Sequence, residues 1–113
     1  MNDLNFYRYK AIITDVYDGD SVTADIDLGF GIWMRNQKLR LYGIDTPELR
    51  GAEREEGLKV RDYVTDLILG QEVIIESAKD KSGKYGRWLA TIWIQGVNLN
   101  EKLLNEGKAK EYV

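Results

Sequence analysis

Neither cysteine nor histidine occurs among the 113 residues of this chain. That double absence excludes disulfides, thiolate or imidazole zinc sites, cysteine nucleophiles, Ser-His-Asp triads and any mechanism built on a histidine base. Chemistry must therefore run on Asp, Glu, Lys, Arg, Tyr, Ser or Thr, or on a metal held by oxygen. The missing thiols leave the compartment open, because a chain without cysteine suits either redox environment. No stretch approaches the roughly 18 apolar residues that a membrane-spanning helix needs. The start, Met1-Asn2-Asp3-Leu4-Asn5, lacks the charged and apolar regions of a signal peptide. The expectation is a soluble chain, no membrane partner, and a localisation that is unknown: secreted with a leader removed, or cytoplasmic.

What is present suits one core. Residues 1–113 are the length of a single domain, and the 43% hydrophobic content, with three Trp and seven Tyr, is enough apolar surface to stabilise it, most simply as a monomer. Net charge is −3, which argues mildly against a polyanionic partner at long range. Local segregation counts the other way. Asp15 to Asp27 holds five Asp and no Lys or Arg, Arg35, Lys38 and Arg40 follow without an acid, and Lys79, Lys81, Lys84 and Arg87 surround only Asp80. An acidic pocket between two basic segments could hold a cation beside a phosphate.

The β-branched run from Lys10 to Tyr17 predicts a strand, and Asp18-Gly19-Asp20 a turn. Ser21 to Leu28 alternates, with Val22, Ala24, Ile26 and Leu28 on the apolar face. Gly29-Phe30-Gly31 predicts a hairpin into a third strand over 32–42, which Pro47 then ends. Val60, Tyr63, Val64, Leu67 and Ile68 recur at helical spacing, predicting a helix over about 53–69 capped by Gly70. Strands are expected at 72–77 and 88–94, with Lys79 to Gly86 as the loop between them, then a short helix through Leu99, Leu103 and Leu104, and a tail from Lys108. Five strands with two helices suit a small closed or partly open barrel.

Three places could carry chemistry. Asp20, just past a tight turn, could meet Asp45, at the end of another strand, to cage a hard cation; the competing reading is a plain turn. Val22 at the third ligand position excludes an EF-hand. Arg40 and Arg87 could grip phosphate with their forked donors, or be ordinary surface charges. Glu48 is one of few bases available near Asp45, or a carboxylate at the helix entrance.

Taken together, Asp18-Gly19-Asp20-Ser21-Val22, then Arg40 through Asp45-Thr46-Pro47-Glu48, then Lys84-Tyr85-Gly86-Arg87 resemble the staphylococcal (thermonuclease-like) nuclease family, from about Lys10 to Tyr112. The resemblance implies a five-stranded OB-fold barrel with helices and a Ca²⁺-dependent phosphodiesterase acting on DNA and RNA and leaving 3′-phosphates. By motif matching, Asp20 and Asp45 would ligate Ca²⁺ with the Thr46 main-chain carbonyl. Glu48 would activate or orient the attacking water, Arg40 and Arg87 would clamp the scissile phosphate, and Lys84, Tyr85 and Tyr112 would line the nucleotide site. Ser21 stands for the family's frequent Thr and keeps the hydroxyl; Gly83 departs from the pattern. Since the sequence stops at Val113, the expected barrel has two helices and lacks the family's third, C-terminal one. Two noncatalytic alternatives are a nucleic-acid or protein-binding module of the same fold and a single-strand binder stacking bases on Trp33, Tyr42 and Tyr85.

Overall fold

The computed structural model describes residues 6–82 and 86–112. In chain order the elements are β1 (Phe6–Asp18), β2 (Ser21–Gly29), β3 (Ile32–Leu41), β4 (Ile44–Asp45), α1 (Arg54–Ile68), β5 (Glu72–Ser82), β6 (Trp88–Ile94), β7 (Val97–Asn98), α2 (Leu99–Asn105) and β8 (Lys110–Glu111). A 3₁₀ turn, Gly51–Glu53, leads into α1.

The two-residue period of the strands sorts their side chains. Ala11 and Ile13 of β1, Val22, Ala24 and Ile26 of β2, Leu39 and Leu41 of β3, Val73 and Ile75 of β5, and Ala90 and Ile92 of β6 point into one core. Strand order is β3-β2-β1-β5-β6, antiparallel throughout, and β6 then pairs in parallel with β3, Leu39 opposite Trp88 and Arg40 opposite Leu89, which closes the barrel. This is the OB-type arrangement, with α1 between the third and fourth barrel strands. Val60, Val64 and Ile68 carry the buried stripe of α1 into the same core, and each such side chain contributes on the order of 1.5–3 kcal/mol. Leu99 and Leu103 do the same for α2. Asn98 caps α2, its side chain accepting from Glu101 N. No described helix is long and apolar enough to cross a membrane.

Three expectations are corrected. Leu28 leaves the apolar face and is 38% exposed, because an irregularity between Asp27 and Gly29 breaks the alternation. The β5 backbone runs on as strand to Ser82, so the expected loop from Lys79 is shorter. The terminal tail is a strand, with Ile44 opposite Glu111 and Asp45 opposite Lys110. Isolated two-residue strands carry too little period to be read in sequence.

Two close approaches fix α1 beneath the β1–β2 turn. A Cβ on Gly57 would overlap the Glu48 carbonyl oxygen and stand 2.8 Å from its carbon. One on Gly19 would stand 2.6 Å from Val60 Cγ1 and 2.9 Å from Thr46 Cγ2. Only glycine lets the helix, the turn and the segment after β4 meet this tightly.

Candidate active site

The Asp18-Gly19-Asp20 turn brings two acids side by side. Asp20 N donates to Asp18 Oδ1 at 3.1 Å. Burial first, then the adjacent Asp20 carboxylate, push the Asp18 acid up to about 7. Asp20 is itself only 5% exposed. Its Oδ2 accepts from Thr46 N at 2.9 Å and its Oδ1 from Ser21 Oγ at 3.3 Å. A carboxylate buried this far is stable only with such partners.

Arg40 supplies the countercharge. As the last residue but one of β3, it reaches forward over the turn into β4, where Nη1 donates to the carbonyls of Leu41 at 2.9 Å and Ile44 at 2.8 Å. Nη1 also stands 3.4 Å from Asp20 Oδ2, and Nη2 3.5 Å from Asp45 Oδ1. The Arg40 side chain is 12% exposed, so this is no surface charge. The Tyr112 ring lies 5.3 Å from its Cζ, held there as Tyr112 N donates to the Gly43 carbonyl at 2.9 Å. Arg87 enters from the start of β6, its Nη1 donating to Ser21 Oγ at 3.3 Å.

These groups line one polar cleft of about 780 Å³, together with Tyr17, Leu49 and Arg50. Asp20, Arg40, Asp45, Glu48, Arg87 and Tyr112, which lie far apart in sequence, therefore share one wall of solvent. Glu48 is exposed there. The bond at the helix entrance belongs to Glu53, whose Oε1 accepts from Glu48 N at 2.9 Å, so the Glu48 carboxyl is not needed for that task.

The family model for staphylococcal nuclease homologues matches residues 38–113. The chain belongs to this family. It is 33% identical over 113 residues to the Thermonuclease of Staphylococcus hyicus, across 97% of this chain and 62% of the relative. It is 29% identical to the Thermonuclease of Staphylococcus intermedius, across 88% of this chain and 57% of the relative. An uncharacterized protein of Methanocaldococcus jannaschii is also 29% identical, across 94% and 60%. The chain thus spans about three-fifths of the length of these curated relatives.

In this staphylococcal nuclease homologue, the ligands expected for a hard cation are Asp20, Asp45 and the Thr46 main-chain carbonyl, all oxygen donors. One guanidinium reaches both carboxylates, so they face a common region, and Thr46 Oγ1 is buried without a hydrogen-bond partner. Among the described residues no group of three or more acidic side chains is placed to hold a metal. Lys84 and Tyr85 lie outside the described residues. Sequence reasoning missed Arg50 and Tyr17 as cleft residues and Ser21 as the bridge between Asp20 and Arg87. Tyr17 and Ser21 flank the Asp18-Gly19-Asp20 turn, which was the available signal; Arg50 had none.

Proposed function

We propose that this domain is a Ca²⁺-dependent nuclease that hydrolyses phosphodiester bonds of DNA and RNA with little sequence specificity and leaves 3′-phosphates, acting as a monomer. The observation that carries the reading is the meeting of Arg40 and Arg87, Asp20 and Asp45, and exposed Glu48 in a single cleft. Phosphoryl transfer asks for this combination: cations where charge builds on the equatorial oxygens, and a base for the water.

Arg40 uses the Nη1 protons on the Leu41 and Ile44 carbonyls, which leaves Nε and the Nη2 proton not turned to Asp45 to meet a phosphate. Its orientation is set before substrate arrives, so little reorganisation remains at the moment of reaction. Arg87 holds the same phosphate from the β6 side. Glu48 accepts the proton of the attacking water. Asp20, Asp45 and the Thr46 carbonyl would hold Ca²⁺, which would supply further positive charge to the bound phosphate. Lys84, Tyr85 and Tyr112 are assigned to the nucleotide. The noncatalytic alternatives are not favoured: stacking bases on aromatics needs neither a buried Asp20 nor an Arg40 aligned against it.

Incubation of purified protein with single-stranded DNA in Ca²⁺ or in chelator tests the reading. Cleavage only in Ca²⁺, with 3′-phosphate ends, is expected; equal cleavage in chelator would overturn it. Glu48→Gln should lower kcat by about 10²–10⁴-fold with Ca²⁺ binding nearly unchanged, whereas Asp20→Ala should weaken Ca²⁺ binding and regain part of its activity at high Ca²⁺. Parent-like turnover of Glu48→Gln would place the base elsewhere.

A further inference from the structure

Beside the cleft a second hollow of about 430 Å³ opens between β1, β2 and β3. The two share Tyr17, Asp18, Ser21 and Arg87, and the second is completed by Asp15, Thr23 and Lys38. Tyr17 is 68% exposed on the common wall, and the hydrophobic core makes no use of it. Lys38 is exposed on β3 and forms no ion pair among the described residues. A tyrosine and a lysine left open to water, next to an arginine already turned toward the first cleft, are the parts of a site for a stacked ring and an anion.

A polymeric substrate continues beyond its scissile phosphate. With that phosphate on Arg87, the adjoining hollow is where the next nucleotide falls. Lys38 offers a compact, mobile charge to the next phosphate, and Tyr17 an aromatic face to the base, a contact that tolerates any base because each has a π-face. Asp15 stands on β1, the strand that carries Tyr17. It repels phosphate from that side, so the backbone runs along Lys38 and the base turns to Tyr17. We infer that Tyr17 and Lys38 form a subsite for the nucleotide adjoining the scissile one. This rests on the nuclease reading above.

Steady-state cleavage of fluorescent single-stranded octathymidylate in Ca²⁺ tests it, with parent, Tyr17→Ala, Tyr17→Phe and Lys38→Gln. Tyr17→Ala should raise KM about tenfold with the effect confined to KM, and Tyr17→Phe, which keeps the ring, should restore the parent value. For Lys38→Gln, the slope of log(kcat/KM) against log[salt] should become shallower by about 0.7, one phosphate contact on a single strand. If the parent cleaves the octamer and Tyr17→Ala shows the parent KM, or Lys38→Gln the parent slope, the subsite is wrong and the nuclease reading stands. If the parent fails to cleave the octamer in Ca²⁺, both fall together.

Discussion

Gly57→Ala sets two effects of opposite sign against each other at one position. In an open helix the change stabilises by about 1 kcal/mol, since alanine loses less backbone freedom than glycine. Here the added methyl meets backbone: the Glu48 carbonyl carbon lies 2.8 Å from the new atom, and the Pro47 carbonyl oxygen 2.9 Å. Reaching ordinary contact with the Glu48 carbonyl oxygen, which the methyl would overlap, requires about 1 Å of separation, and a main-chain carbonyl cannot turn aside as a flexible side chain would. Overpacking costs about 1–3 kcal/mol, the upper end being apt for a backbone target, so the net loss should be about 2 kcal/mol. For a domain of this length that lowers Tm by roughly 8 °C. The strain falls on the segment that carries Glu48, the proposed base, and misplacing such a group by 1 Å can cost about 10²-fold, so kcat should drop at least several-fold at temperatures where the variant is fully folded. Calorimetry and DNA cleavage at 15 °C read the two quantities separately. A raised Tm would mean that helix propensity wins and the close approach relaxes freely. A lowered Tm with unchanged kcat would show that α1 does not position Glu48.

Arg87→Lys should lose several orders of magnitude in kcat on DNA, because an ammonium cannot reproduce a two-pronged grip; near-normal turnover would demote Arg87 to a bystander. Asn100→Ala should cost about 2 kcal/mol in urea denaturation: its Oδ1 accepts from Ile92 N and its Nδ2 donates to the carbonyls of Tyr42 and Ala90, of which the Ala90 carbonyl keeps a second donor in Tyr42 N. A loss under half that size would mean that water replaces the side chain. Glu106 is held down to about 2 by hydrogen bonds from Lys102 and then Tyr63. A lowered folded-state value contributes stability above the unfolded carboxylate range near 4.5 and loses it as pH falls toward 2. Glu106→Gln should therefore melt lower than the parent at pH 7, with the gap closing between pH 4.5 and 2 in a thermal melt series; a gap independent of pH would remove the charge from the account.

The barrel and its core were legible because their residues repeat. Val22-Ala24-Ile26 and Val60-Val64-Ile68 announce a strand face and a helix stripe, and both enter the core. Site residues carry no period, and Asp20, Arg40, Asp45 and Glu48 became readable only as a motif in a fixed order. What that motif could not convey was Arg40's second task. Its Nη1 ties the turn between β3 and β4 through two carbonyls, so the residue is structural and electrostatic at once. The hydrogen bond from Tyr112 N to the Gly43 carbonyl was equally hidden, because it joins two backbone positions that no side-chain pattern marks.

The parallel seam between β3 and β6 has a bearing on how the protein folds and endures. Arg40 lies on that seam, opposite Leu89, and Arg87 immediately precedes it. Every other barrel pairing is antiparallel; this one joins residues far apart in sequence, Leu39 to Trp88, as the β1–β5 pairing does over a still longer separation, Tyr9 to Ile75, so both carry high loop-closure entropy and belong among the slow steps. The phosphate grip proposed for Arg40 and Arg87 is consequently assembled only when the barrel shuts. A partly folded chain with β1 to β3 in place would have Arg40 and no Arg87 beside it. An anion that bridges both arginines recognises the native state alone, and at a hundred times its dissociation constant it adds about 2.7 kcal/mol to the stability of the whole domain. A substrate phosphate held as proposed would thus also fasten the seam that closes the barrel.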